Sequence, residues 1–111
     1  MRRWPQSGTP RRRRTAIRRG RRAAARAAAA ELRLRSPLSV AVSLEALRRA
    51  AATTNLADQL PTELALAVRL ATGPDFAEGV RAQLVDRDRN PHWQHDSIEA
   101  VTRTEVLSYF A

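Results

Sequence analysis

Residues 36–50 read SPLSVAVSLEALRRA, and this stretch decides the fold class. A serine accepts a hydrogen bond from the first turn of a helix and proline is favoured at the first helical position, so Ser36-Pro37 predicts a helix start. Apolar residues follow on more than one side of that helix, which predicts packing against more than one neighbour. One side holds Leu38, Val42 and Ala46, and another holds Val40, Leu44, Leu47 and Ala51.

The next helix is predicted to follow the capping residues Thr53-Thr54-Asn55 and to reach Ala71, because leucines recur along it. Pro61 lies inside this pattern, where proline removes one backbone donor and clashes with the preceding turn. We therefore expect a kink or two shorter helices. Gly73-Pro74 then ends the element.

Two further helices complete the expected set. The first runs from Asp75 to about Val85 and should turn Phe76, Val80, Leu84 and Ala77 inward. Residues 86–93 are polar and contain a proline, so they should form a loop. The spacing of Thr102 and Glu105 is that of a capping box, which predicts a short last helix. The fold class is thus all-α, with about four helices over residues 23–111, the first beginning at Ala23.

Residues 1–22 differ sharply from the rest, because they carry runs of arginine with proline and glycine and few apolar residues. Such a segment buries too little surface to offset its chain entropy, so a disordered tail is expected. Residues 1–36 hold thirteen of the twenty basic residues and one acid, a net charge of +12, whereas residues 37–111 carry −3. The basicity therefore belongs to the tail.

Three interpretations of this tail remain open. Guanidinium groups displace counterions from phosphates, so the tail can bind nucleic acid. An arginine-rich, acid-poor segment also suits a transit peptide. Finally, a shifted reading frame in GC-rich DNA produces runs of this kind, in which case the upstream DNA should encode the missing part of a longer protein.

Several chemistries are excluded or disfavoured by composition. There is no cysteine, hence no disulfide, no thiolate metal site and no cysteine nucleophile. His92 and His95, three apart in a polar loop, are expected to be surface residues, so we predict no metal site. The sequence has no GxSxG, Walker or GxGxxG motif, so we predict no catalytic residue and no cofactor. No apolar run approaches the roughly 20 residues needed to span a bilayer. A cytoplasmic protein with no membrane contact is expected.

Two blocks resemble one family. Residues 36–50 resemble the C-terminal region of bacterial 3-hydroxyisobutyryl-CoA hydrolases, a branch of the enoyl-CoA hydratase/isomerase (crotonase) superfamily. Residues 75–93, DFAEGVRAQLVDRDRNPHW, are similar to that family's signature DFxEGVRAxLxDKDxxPxW, and residues 101–111 resemble its usual ending. The order and separation of the blocks also agree.

The resemblance implies that residues 23–111 are the C-terminal helical region of an enzyme that hydrolyses 3-hydroxyisobutyryl-CoA to the free acid and CoA in valine breakdown. Enoyl-CoA hydratase or isomerase activity is the alternative. Catalytic groups of the family lie upstream, so none is carried over to this chain. The family's C-terminal helices cover the active site and help to form subunit contacts, which implies an acyl-CoA substrate and a possible homo-oligomer, with contacts that suit Leu44, Leu47, Leu66 and Leu70.

Arg87 and Arg89 are candidate contacts to CoA phosphate, because the family signature has lysine at the position of Arg87 and guanidinium suits phosphate. The alternative for both residues is ion pairing with the adjacent Asp86 and Asp88.

Overall fold

The structure is a computed structural model that describes residues 10–111, which fall into two compact units divided between Leu32 and Arg33. Within residues 10–111 there are helices and no strand, which confirms the all-α prediction. The α-helices are α1 (Pro10–Arg33), α2 (Pro37–Ala51), α3 (Leu56–Ala71), α4 (Pro74–Val80) and α5 (Arg103–Ser108), with a π-helical turn at Arg81–Val85 and a 3-10 turn at Ile98–Ala100. None of these helices is long and apolar enough to cross a membrane.

Helix α1 corrects the expected start of helical structure. It begins at Pro10 rather than at Ala23, so the disorder predicted for residues 1–22 is wrong for residues 10–22. Arginine and alanine are both good helix formers. Every residue from 11 to 32 is exposed, so the helix propensity of these residues accounts for α1 without burial of side chains. Residues 1–9 of the predicted tail lie outside the described residues.

Helix α2 begins as predicted and supplies most of the core. The Ser36 hydroxyl accepts a hydrogen bond from the Ser39 amide at 3.2 Å, and Pro37 opens the helix. The buried cluster joins α2 to α3 and α5 and consists of Leu38, Val42, Leu66 and Val106. Leu44 and Leu47 on another side of α2 are exposed, so only part of the predicted packing occurs within this chain.

Helix α3 is a single helix with Pro61 inside it, so the alternative of two shorter helices is wrong, and the kink stays a prediction. The Asn55 side chain accepts from the Ala57 amide at 2.9 Å and caps the start of the helix. Because Pro61 removes one donor only and lies on an exposed part of the helix, the remaining backbone hydrogen bonds sustain it.

The π-helical turn after α4 changes which residues face the core. The Asp86 amide donates to the Arg81 carbonyl at 2.8 Å, five residues back, which widens the turn. Ala82 is therefore fully buried. Leu84 is 69% exposed and Phe76 58% exposed, so the prediction that they face inward is wrong; Ala77 is also exposed and Val80 is half-buried.

Helix α5 closes the core and starts at the predicted cap. The Thr102 hydroxyl accepts from the Glu105 amide at 3.2 Å. The carboxylate of Glu105, which was expected to reach back to the cap, instead contacts His95 Nε2 at 2.8 Å.

Two arginines fix α5 and the residues after it. Arg103 and Arg49 both donate to the buried carboxylate of Glu45, and the bond from Arg103 is the main cause that lowers the Glu45 pKa. Arg69 on α3 donates to the backbone oxygens of Ser108, Tyr109 and Ala111 at 2.6 to 3.2 Å.

Candidate functional site

Two grooves in the unit Arg33–Ala111 share a wall formed by Trp93, Gly79, Gln83 and Ser36. The polar groove has a volume of about 560 Å³ and the apolar groove about 460 Å³. The polar groove is completed by Arg33, Leu34, Arg35, Arg89, Asn90 and Pro91. The apolar groove is completed by Ser39, Leu70, Asp75, Phe76, Val80 and Leu84.

Trp93 is held in place by its own polar atom and by a glycine. Its indole Nε1 donates to the Leu34 carbonyl at 3.3 Å. A Cβ atom added at Gly79 would lie 3.4 Å from the Trp93 ring. The close neighbour of Gly79 is therefore the Trp93 side chain.

The apolar groove is bordered by a buried carboxylate, that of Asp75 in the first turn of α4. Asp75 accepts from the Ser36 hydroxyl at 2.6 Å and from the Gln94 amide at 2.9 Å. These bonds join the start of α4 to the start of α2 and to the segment after Trp93. Because burying an unpaired charge is costly, the two donors explain how this carboxylate is tolerated.

The loop that follows the π-helical turn is fixed by Arg81. Its guanidinium donates to Glu78 at 2.7 and 2.9 Å, to Asp86 at 2.8 Å and to Asp88 at 2.7 Å. Glu78 also accepts from the His92 amide at 2.9 Å. We call these four side chains, Glu78, Arg81, Asp86 and Asp88, the Arg81 cluster.

Within the Arg81 cluster, hydrogen bonds stabilise the charged forms of Glu78, Arg81 and Asp88. The hydrogen bonds from Arg81, followed by that from the His92 amide, lower the pKa of Glu78 to about 2. Arg81 also lowers the pKa of Asp88, and the carboxylates raise the pKa of Arg81, Glu78 most strongly. Glu78 and Asp88 therefore stay ionised near neutral pH and bind Arg81.

The predicted site residues Arg87 and Arg89 do not pair with Asp86 and Asp88, because both of those carboxylates bind Arg81. Arg87 and Arg89 have φ of 55° and 52°, in the left-handed region that non-glycine residues rarely adopt. The Arg89 amide donates to the Ala82 carbonyl at 2.9 Å, which helps to hold this turn. Arg89 lines the polar groove, and Arg87 lines neither groove.

The two histidines have different surroundings. His92 is exposed, with Nδ1 3.0 Å from the Asn90 carbonyl, whereas the half-buried His95 contacts Glu105. Across residues 10–111, no three side chains from His, Cys, Asp and Glu are grouped so that they could hold a metal ion.

Sequence reasoning missed Asp75, Trp93 and the Arg81 cluster as parts of the site. The spacing of Glu78 and Arg81, three apart on a helix, is a signal that could have indicated their ion pair. The Asp75 carboxylate beside the apolar groove is already engaged by two hydrogen bonds. The grooves are therefore suited to binding a ligand rather than to acid–base chemistry. They offer an apolar wall next to the guanidinium of Arg89.

The enoyl-CoA hydratase/isomerase family profile matches residues 12–110. The chain belongs to this family. The match begins inside α1, earlier than the resemblance seen in the residues, which begins near Ala23 or Ala27.

Curated relatives agree with the resemblance to the hydrolase branch. The chain is similar to the mitochondrial 3-hydroxyisobutyryl-CoA hydrolase of Dictyostelium discoideum, with 43% identity over 75 residues, 68% of this chain and 20% of the relative. The enzymes of the same name from Rattus norvegicus and Homo sapiens are 37% and 35% identical over 75 residues, again 68% of this chain and 19% of each relative. The chain spans about a fifth of the length of these relatives. No solved structure matches.

These names also correct one expectation. The relatives are named mitochondrial enzymes, which contradicts the prediction of a cytoplasmic protein. That prediction used the lack of an apolar run long enough to span a bilayer, a feature that says nothing about import into mitochondria.

Proposed function

We propose that this chain is the C-terminal helical part of a CoA-thioester hydrolase that cleaves 3-hydroxyisobutyryl-CoA to 3-hydroxyisobutyrate and CoA in valine breakdown. The observation that carries the proposal is the 35% to 43% identity, over 75 residues, to enzymes that bear this name. The catalytic groups belong to the part of such an enzyme that this chain does not span.

The two grooves suit a supporting role in substrate binding. Arg89 presents a guanidinium without a carboxylate partner among the described residues, and this planar group matches phosphate oxygens in charge and geometry. CoA carries phosphates, so Arg89 is the better candidate for a phosphate contact. Arg87 lies outside both grooves and is the weaker candidate.

A segment exchange tests the proposal. The matching C-terminal stretch of the Dictyostelium discoideum hydrolase is replaced by residues 33–111 of this chain, and the hydrolysis of 3-hydroxyisobutyryl-CoA is compared with that of the truncated enzyme. We expect activity to be restored. A folded chimera that is as inactive as the truncated enzyme would contradict the proposal.

The same chimera tests the phosphate contact. Arg89→Gln should raise KM about tenfold or more, as expected for loss of one charge-assisted hydrogen bond, while kcat changes little. Arg87→Gln removes an equal charge two residues away and serves as the matched control. Equal effects of the two substitutions would dismiss a specific contact by Arg89.

The family description also covers enoyl-CoA hydratases and isomerases, which keeps that activity as the second candidate. Attaching residues 33–111 to an enoyl-CoA hydratase truncated at the equivalent position separates the two. Rescue of the hydratase but not of the hydrolase would favour the second candidate.

The 111-residue chain by itself should have no measurable thioesterase activity. An oxyanion hole contributes about 2.7 to 4 kcal/mol per donor, and no donor pair aimed at a thioester carbonyl can be identified in the described residues. Turnover of 3-hydroxyisobutyryl-CoA by the purified chain, lost on substitution within it, would contradict this prediction.

A further inference from the structure

Helix α1 carries a basic face that the proposed function does not use. Residues 11–26 contain nine arginines, and residues 10–30 contain no acid. At about 100° per residue, all of these arginines except Arg13 fall within about half of the helix circumference. Apart from Arg13, the other half holds small or apolar residues, among them Ala16, Ile17, Gly20, Ala23 and Ala27. Every residue from 11 to 32 is exposed, so the arginine side chains are accessible.

We propose that this basic face binds the phosphate backbone of duplex DNA, with α1 lying along the major groove. That groove is about 12 Å wide and admits an α-helix. Residues 11–26 extend over about 24 Å, and duplex DNA carries one negative charge per about 1.7 Å. Eight arginines therefore face about fourteen phosphates, and arginines at both edges of the basic face reach opposite walls of the groove. The contacts are electrostatic and independent of base sequence.

The composition of the opposite half of α1 favours DNA over a membrane surface. Helices that bind membrane interfaces bury large apolar side chains such as leucine, phenylalanine and tryptophan in the lipid. Here that half is mostly alanine and glycine, and Ile17 is its one large apolar residue between positions 11 and 30. Little apolar area is available for insertion, whereas all eight arginines are available for phosphates.

The first experiment measures binding of the full 111-residue chain to a labelled duplex of about 24 base pairs by fluorescence anisotropy, from about 50 to 200 mM salt. We expect the logarithm of the binding constant to fall with log salt with a slope of about −4 to −7, since each phosphate contact contributes about −0.9. A slope near zero, or no binding at the lowest salt, would overturn the proposal.

The second experiment uses variants of equal charge. Substituting Arg18, Arg22 and Arg26 by glutamine keeps helix propensity, removes three charges from the basic face and should make the slope less steep by about 2.7. Substituting Arg13, Arg48 and Arg87 by glutamine removes three exposed charges outside the basic face and should change the slope by less than about 1. Equal losses in the two variants would show that net charge alone acts and would overturn the assignment to α1.

A third variant tests whether binding requires the arginines to lie on one half of α1. Exchanging residues 16 with 18 and 24 with 26 (A16R/R18A and A24R/R26A) moves two arginines to the opposite half at constant net charge. We expect binding to weaken about tenfold or more, because two phosphate contacts are lost. Unchanged binding would overturn the helical mode. Tighter binding of the unsubstituted chain to phosphatidylserine vesicles than to the duplex would overturn it in favour of a membrane surface.

Discussion

Arg81 fixes the loop that follows α4, because its guanidinium binds Glu78, Asp86 and Asp88 together. The planar fork of arginine has five donors in fixed directions, which lets a single side chain serve three carboxylates. Lysine has a compact point charge and does not reproduce this arrangement. The left-handed backbone at Arg87 and Arg89 accompanies the return of the chain toward Ala82.

Glu78→Gln should reduce the stability of the fold at neutral pH and flatten its dependence on pH. The pKa of Glu78 is lowered from 4.5 to about 2 in the folded chain, chiefly by Arg81. A lowered folded-state pKa gives stabilisation that is present above the unfolded value and is lost as pH falls through the folded value. The loss should therefore occur between about pH 5 and pH 2. Denaturant unfolding across this range measures it.

Glu63→Gln on α3 is the matched control for the pH experiment, because Glu63 is an exposed carboxylate outside the Arg81 cluster. It should leave the acid-side slope of stability unchanged. Identical pH profiles for the unsubstituted protein and Glu78→Gln would show that Arg81 does not stabilise the Glu78 carboxylate.

Gly79→Ala should stabilise the chain by about 0.5 to 1 kcal/mol, since alanine has the higher helix propensity. The added Cβ would meet the Trp93 ring at 3.4 Å, an ordinary contact distance. Gly79→Val adds atoms beyond the Cβ toward the ring and should destabilise. Thermal unfolding of both variants checks the prediction, and a lower melting temperature for Gly79→Ala would show that the contact with Trp93 is tighter than described.

Among the elements, those with a local capping signal were predicted well. Ser36, Asn55 and Thr102 each accept a hydrogen bond from the first turn of the helix that follows, so the starts of α2, α3 and α5 are encoded within a few residues. The π-helical turn has no such signal. A uniform helical period wrongly assigned Leu84 to the buried side, because the wider turn brings Ala82 there instead.

The candidate site was less predictable than the helices, because its contacts join residues that are not adjacent. Proximity in sequence favoured pairs between Arg87 or Arg89 and the neighbouring aspartates. In the folded loop both aspartates instead form ion pairs with Arg81, which lies five residues before Asp86 and seven before Asp88. Ser36 and Asp75 are 39 residues apart, and no local pattern indicates their hydrogen bond. Such pairs become evident only once the positions of the first turns of α2 and α4 in the fold are known.

Pro61→Ala should stabilise α3. Proline inside a helix costs about 3 kcal/mol relative to alanine, and Pro61 is exposed, so no core contact is lost on substitution. We expect a gain of about 1 to 3 kcal/mol in the free energy of unfolding. Denaturant unfolding followed by circular dichroism measures it. Thr62→Ala, the neighbouring exposed position, is the control and should raise stability by less than about 0.7 kcal/mol, because threonine is a weaker helix former than alanine. A destabilised Pro61→Ala variant would show that the proline is needed for the path of α3.

The whole molecule has more large apolar side chains than its core buries. Four buried residues form the core cluster. Four large leucines are 67% to 71% exposed, namely Leu47, Leu56, Leu64 and Leu84. Exposed apolar surface of this kind is typical of interfaces with other protein segments. The proposed catalytic part of the enzyme is one segment that could cover it.

The isolated chain should therefore be weakly stable and should self-associate. Sedimentation velocity over a concentration series should show an apparent mass that rises with concentration, because apolar area leaves water on association. Leu47→Gln with Leu84→Gln should reduce this rise, and Glu63→Gln with Gln83→Glu, which alters polar positions, should not. A monodisperse monomer with a sharp, concentration-independent thermal transition would contradict the prediction.

Trp93 gives the molecule an optical reporter of its own grooves. Its indole ring borders both the polar and the apolar groove, and the sequence contains one other tryptophan, Trp4. With Trp4→Phe, the emission of the chain arises from Trp93 alone. A ligand or partner that enters either groove displaces water from the half-buried ring and shifts its emission to shorter wavelength. Occupancy can thus be followed without any attached dye.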